Sequence, residues 1–223
     1  INPTQALFLD GLRYSVEIID LAYNRLRETL TELAVAEIRP DVLPRHATLA
    51  FLDAWAIVDA VDRFRMLCEQ MPRMTLSPGP DGTPTLTELA APIRKLRNVA
   101  DHLAQRAEYV VSHGGSALGE LTWFTGLNLQ PLGGVMCRLR PGTLRSPPEH
   151  FRESVEMKLE WPTDRICLIA GGGDANLSLV IPQIALRIGV IEQSVERSLE
   201  TLGERTGPVM SDVLLRYPYK PAV

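Results

Sequence analysis

Near residue 117 the hydrophobic pattern of this chain changes its period, and no other feature constrains the fold as strongly. Before that point apolar residues recur every three or four positions. After it they alternate with polar ones, as in Val155-Glu156-Met157-Lys158-Leu159-Glu160-Trp161. A period near 3.6 buries one face of a helix, whereas a period of two gives a strand one dry and one wet face. The chain therefore reads as α+β: a bundle of long helices with an antiparallel β-sheet inserted before the last helix. Three regions follow: a helical bundle over 1–116, an antiparallel meander over 117–181, and a closing helix with its tail over 182–223, packed back on the bundle.

The first helix is expected over residues 4–36, with Phe8, Leu12, Val16, Ile19, Tyr23, Leu26, Leu30 and Leu33 along one stripe. Pro40 stops it, because the residue before a proline disfavours helical geometry. A second helix is expected over 48–70, carrying Leu52, Trp55, Val58, Asp59, Asp62, Arg63 and Met66. Residues 72–84 are rich in proline and glycine and read as a connection, or as a rim beside a site. Thr85 and Glu88 have the spacing of a capping box, so a third helix starts there and runs to Val111, with Pro92 either kinking it or marking its true start at Ala91. Strands are expected at 118–125, 132–140, 155–161, 165–170 and 175–181. A last helix is expected over 182–202, with Pro182 in its first turn and Ile184, Ile188, Ile191, Val195 and Leu199 facing the core.

At 223 residues the chain buries enough surface to fold without a metal or disulfide. Its net charge of -4 argues against a protein that coats nucleic acid through many phosphate contacts, while leaving room for a small positive cleft. The three cysteines, Cys68, Cys137 and Cys167, lie in apolar contexts and read as buried thiols. No apolar run reaches the roughly 20 residues that span a bilayer, and no signal peptide is visible. A cytoplasmic chain without membrane contact is expected, needing no cofactor and no metal ion.

One helical segment concentrates chemistry. With Arg97 at zero on a wheel of about 100° per residue, Asp101 falls near 40°, Asn98 near 100° and His102 near 140°. Ile93, Leu96, Val99, Ala100 and Leu103 take the other side. Such a helix anchors in a bundle and turns a guanidinium and an imidazole outward. Histidine moves protons near neutral pH, and arginine stabilises charge that builds on phosphorus. Internal cleavage of RNA supplies its own 2′-hydroxyl as nucleophile. The same spacing also suits a plain solvated face in which Arg97 and Asp101 form an i,i+4 pair.

The run Arg97-Asn98-Val99-Ala100-Asp101-His102, in a late helix of a long-helix bundle, resembles the Arg-polar-x3-His motif of the HEPN superfamily. Trp55 to Arg65 resembles the helices that precede the motif in that superfamily. The likeness covers residues 1–112 and the last helix, and its specific core is six residues. It implies a metal-independent endoribonuclease of the toxin–antitoxin or phage-defence kind, acting on RNA as a homodimer whose two motifs meet in a cleft. In that reading Arg97 stabilises the phosphorane, His102 transfers protons, and Asn98 orients them or binds a phosphate. An antitoxin or other protein partner is implied as well. The resemblance equally admits a catalytically silent scaffold. One subgroup carries a modifiable tyrosine two residues after the histidine. Ala104 stands there, so that modification is not expected, and the sheet lies outside the minimal HEPN bundle.

Other constellations carry less. Asp59 and Arg63 read as an i,i+4 pair, with Asp59 alternatively supporting Arg97. His46 and His150 lie in connectors, and His113 belongs to a helix stop. Gly171-Gly172-Gly173-Asp174 precedes a strand and not a helix, so it reads as a hairpin turn and not a phosphate loop. Trp55, Trp123 and Trp161 read as packing residues before base-stacking ones. A small-molecule site between bundle and sheet remains a third reading.

Overall fold

The computed structural model describes residues 3–35, 41–71, 84–105, 107–112, 115–129, 132–142 and 162–200, together with residues 212, 214 and 216. Five helices and four strands follow in the order α1 (Pro3–Val35), α2 (Leu43–Gln70), α3 (Leu86–Asp101), α4 (Ala107–Ser112), β1 (Glu120–Leu129), β2 (Leu132–Leu139), β3 (Thr163–Ala170), β4 (Gly173–Asn176) and α5 (Leu177–Glu200). The architecture is α+β, with an antiparallel sheet inserted before the last helix. Among the described residues no helix is long and apolar enough to cross a membrane.

Helix α1 buries Leu12, Ile19, Leu26 and Leu30, while Phe8, Val16, Tyr23 and Leu33 pack partly covered against the same core. Helix α2 begins at Leu43 and not at Thr48, because Pro44 occupies its first turn, where a missing N–H costs nothing. His46 thus belongs to this helix and not to a connector, with Nε2 3.6 Å from a Glu32 carboxylate oxygen. The capping box of α3 is formed: Thr85 Oγ1 accepts from Glu88 N, and Glu88 accepts from Thr85 N. Pro92 lies inside α3 and does not start it. The helix stops at Asp101, ten residues before the expected Val111, and α4 resumes at Ala107.

The sheet order is β2-β1-β3-β4, antiparallel throughout. β3 joins the free edge of β1 and not β2, so these four strands do not form a simple meander. The expected strand at 155–161, most of the connection at 72–84, and His113, His150 and Trp161 lie outside the described residues. Opposite Trp123, β3 spends two residues on one partner, a bulge with Arg165 at φ 55°. Gly171 and Gly172 hold positive φ (50° and 76°) in a two-residue hairpin between β3 and β4, as their sequence suggests. That turn presses on α3: a Cβ at Gly171 would stand 2.5 Å from Val99 Cγ1.

The expected strand at 175–181 ends at Asn176. There the Asn176 side chain accepts from Leu179 N and caps α5, which starts five residues before Pro182. Leu177, Ile181, Ile184, Ile188 and Ile191 are buried, and one apolar cluster joins α1, α2, α3, β1, β3, β4 and α5. The closing helix therefore shares the core of the bundle.

Candidate functional site

Helices α2 and α3 meet along a seam of opposite charges. Asp59 stands on α2 and Arg97 on α3; the Arg97 guanidinium donates to the Asp59 carboxylate and, at 3.5 Å, to the Asp59 carbonyl. The other oxygen of Asp59 accepts from Arg63 at 2.6 Å. Asp59 thus forms its i,i+4 pair and supports Arg97 as well. Arg97 Nε lies 3.7 Å from both an Asp62 and an Asp101 carboxylate oxygen. One turn along α2, Asp62 holds Arg65 through two N–H groups at 2.8 and 2.9 Å, and Arg65 reaches Glu69 at 2.6 Å. Burial pulls the Arg65 pKa down, but hydrogen bonds to Asp62 and Glu69 outweigh it and hold the group above its ordinary value. A hydroxyl bond from Thr87, then Arg65, holds Glu69 below the usual carboxylate range.

The sequence places these residues by simple periodicity. Asp59, Asp62, Arg63 and Arg65 lie within two turns of α2, where i,i+3 and i,i+4 neighbours meet. Buried Ile93, Leu96 and Val99 seat α3 on the core and leave Arg97 at the border, with 29% of its side chain exposed. Asn98 and Asp101 face solvent.

His102 departs from expectation. It is the C-cap of α3, at φ −116° and ψ 19°, and does not continue the helical wheel. Its ring is exposed, with Nδ1 3.2 Å from the Gln105 side-chain oxygen. Arg97 therefore takes its partners from α2 and from Asp101, while His102 takes its partner from the turn that follows. Arg97 is part-buried and His102 exposed, and each is oriented by its own partners. Asp62 was legible only as a stripe residue; its spacing from Arg65 was the available signal.

Beyond His102 a cavity of about 580 Å³ opens between the turn, α4 and the loops flanking β1 and β2. Its walls include Leu103, Ala107, Val110, Leu118 and Pro141, and none of its lining side chains among the described residues is charged. The Trp55 indole N–H donates to the Leu118 carbonyl at 3.0 Å, tying α2 to this corner. Trp123 is buried in the sheet. Burial pushes the Cys68 thiol up to about 12, and the Cys137 thiol is raised by the same cause. None of the three cysteines is in a disulfide, and each is part-buried and not fully buried as expected. Among the described residues, no three His, Cys, Asp or Glu side chains converge as metal ligands.

Comparisons with family models, curated proteins and solved structures give no match to this chain.

Proposed function

We propose that this chain is a metal-independent endoribonuclease of HEPN type, acting as a homodimer on cytoplasmic RNA. The observation that carries the reading is Arg97, clamped by Asp59 at an accessible helix border, with exposed Asn98 beside it and His102 capping the same helix. A guanidinium held in one orientation stabilises charge without reorganising at the moment of reaction. The 2′-oxygen attacks phosphorus, and the bond from phosphorus to the 5′-oxygen breaks. One imidazole accepts the 2′-hydroxyl proton while the His102 of a second copy protonates the departing 5′-oxygen. The products are a 2′,3′-cyclic phosphate and a 5′-hydroxyl. Arg97 stabilises the charged phosphorane, and Asn98 binds a phosphate oxygen.

The test is cleavage of a structured RNA in EDTA. Wild type should cleave, and His102→Ala should be slower by about 10²–10⁴, the usual worth of a positioned acid–base group. Arg97→Ala should lose about 10²–10³. Cleavage that needs added metal, or that survives His102→Ala at full rate, sinks the reading.

A second reading has its own support: Asp59, Asp62 and Asp101 all approach Arg97, so its charge is already largely balanced internally. That arrangement suits a catalytically silent HEPN-like scaffold that binds a protein partner, an antitoxin among the candidates. The cavity beside α4, apolar over its described walls, is the observation behind a third, small-molecule role. A ligand of that cavity would raise the melting temperature with no RNA cleaved.

A further inference from the structure

Helices α1 and α5 turn matching stripes toward one cavity. On α1 the apolar Leu9, Leu12 and Val16 are flanked by Arg13 and Glu17. On α5 Ile188, Ile191 and Val195 stand at the same spacing, with Glu192 and Glu196 in the charged positions. On either helix the apolar three span about 60° of the wheel, and the charged two lie about 40° and 80° to one side. α1 takes its main packing from α2, and α5 from β3 and α3, so neither draws the other in. The space left between the stripes is a cavity of about 510 Å³, floored by Phe64 of α2.

Its floor and its mouth differ in chemistry. Leu12, Phe64, Ile188 and Ile191 are buried, whereas Arg13, Glu17, Glu192 and Glu196 are exposed. Among the described lining residues Arg13 is the single cation. That guanidinium already holds Asp212 at 2.6 Å, and Glu17 stands close enough to help raise its pKa. The α5 side of the mouth therefore keeps two carboxylates in excess.

We propose that this cavity binds a small molecule with an elongated apolar body and one cationic head, an alkylammonium or arylalkylammonium. The volume lies within the roughly 300–1,000 Å³ of small-molecule sites. Apolar surface moved from water onto Leu12, Phe64 and Ile191 supplies the affinity. The excess carboxylates set the sign of the head: an ammonium is attracted, and a carboxylate or phosphate is repelled. That attraction is worth roughly tenfold, because exposed charges are screened by water and salt. The site shares no described lining residue with the cavity beside α4 and uses neither Arg97 nor His102. It stands or falls independently of the ribonuclease reading.

Isothermal titration of the full chain with decylammonium, decanol and decanoate tests it. Decylammonium should bind once per chain, about tenfold tighter than decanol, with decanoate weaker than both. Replacing both carboxylates, Glu192→Gln with Glu196→Gln, should abolish that preference and leave decanol binding as it was. Both side chains are exposed, so the double variant should keep the wild-type melting temperature. In 1 M salt, where the screening length falls to about 3 Å, the preference should shrink in the wild type too. Val195→Trp should fill the cavity and remove binding of all three probes, whereas Val111→Trp, in the cavity beside α4, should not. A wild type that does not bind decylammonium overturns the proposal, and so does equal binding of all three heads. Binding that survives Val195→Trp but is lost in Val111→Trp assigns the probe to the α4 cavity and overturns it as well.

Discussion

Two seams hold the long helices in place, and they are made of opposite materials. Where α1 meets the sheet, neutral hydroxyls form a chain: Thr31 to Thr163 at 2.6 Å, and Thr163 to Thr125 at 2.7 Å, with Thr125 fully buried. Close by, Ser178 Oγ accepts from the Tyr23 hydroxyl and from Ile166 N. Where α2 meets α3, long charged side chains share partners: Asp59 serves two arginines, Asp62 serves two, and three carboxylates approach Arg97. Short hydroxyls lose little entropy when ordered and have one arrangement available. Shared ion pairs have several. The first seam fixes geometry; the second leaves the same charges more than one way to pair.

The contrast breaks most readily at Asp62. It and Arg65 are both nearly buried, and removing one partner of a buried pair leaves an uncompensated charge. Asp62→Ala should cost about 3 kcal/mol in urea unfolding, toward the low end for such pairs because Glu69 still holds Arg65. A cost under about 1 kcal/mol would mean that this charged seam is solvated throughout. Thr163→Val removes the middle of the hydroxyl chain and leaves Thr125 buried without its partner, so about 1–2 kcal/mol should be lost. Equal stability of this variant and wild type would show that the chain contributes no net energy.

Asp59→Asn sharpens the comparison from the other side. Its side chain is 43% exposed, so stability should change by less than about 1 kcal/mol. RNA cleavage should still fall, since Arg97 loses its clamp. Unchanged cleavage in an otherwise active protein would deny Asp59 any positioning role.

Asp53 tests burial without full pairing: one oxygen meets Arg25, while Oδ2 has no hydrogen-bond partner. Burial raises its pKa above the ordinary 3.8, with Arg25 opposing. A raised folded value contributes stability below the unfolded pKa and loses it as pH rises through the folded one. Relative to Asp53→Asn, wild type should therefore lose stability from about pH 4 upward. The difference would be flat with pH if the carboxyl were solvated. The smallest effect concerns Cys68, whose thiol, pushed up to about 12, should resist alkylation at pH 8 in the folded protein and react on unfolding. Equal rates in both states would contradict its burial.

Much of this architecture could be read from local pattern. The stripe from Leu12 to Leu30, the Thr85–Glu88 capping box and the Gly171-Gly172 hairpin are short-range signals, and each appears where its chemistry demands. What escaped was nonlocal or unpunctuated. No glycine or proline stands between Arg97 and Ser112, so nothing local announces that α3 stops at Asp101, and the wheel carried His102 one position too far. Pro182 looked like a helix start because proline fits a first turn, yet Asn176 supplied the actual cap. Arg97 and its chief partner Asp59 are 38 residues apart, and only packing of α2 on α3 joins them. The candidate residues were legible individually, but their electrostatic balance was not.

The Gly171 turn leaning on Val99 has a mechanical corollary. Val99 lies two residues from Arg97 on α3, so the hairpin turn and the guanidinium are seated on the same stretch of helix. Bulk added at Gly171 would therefore be met first by Val99, two residues from Arg97.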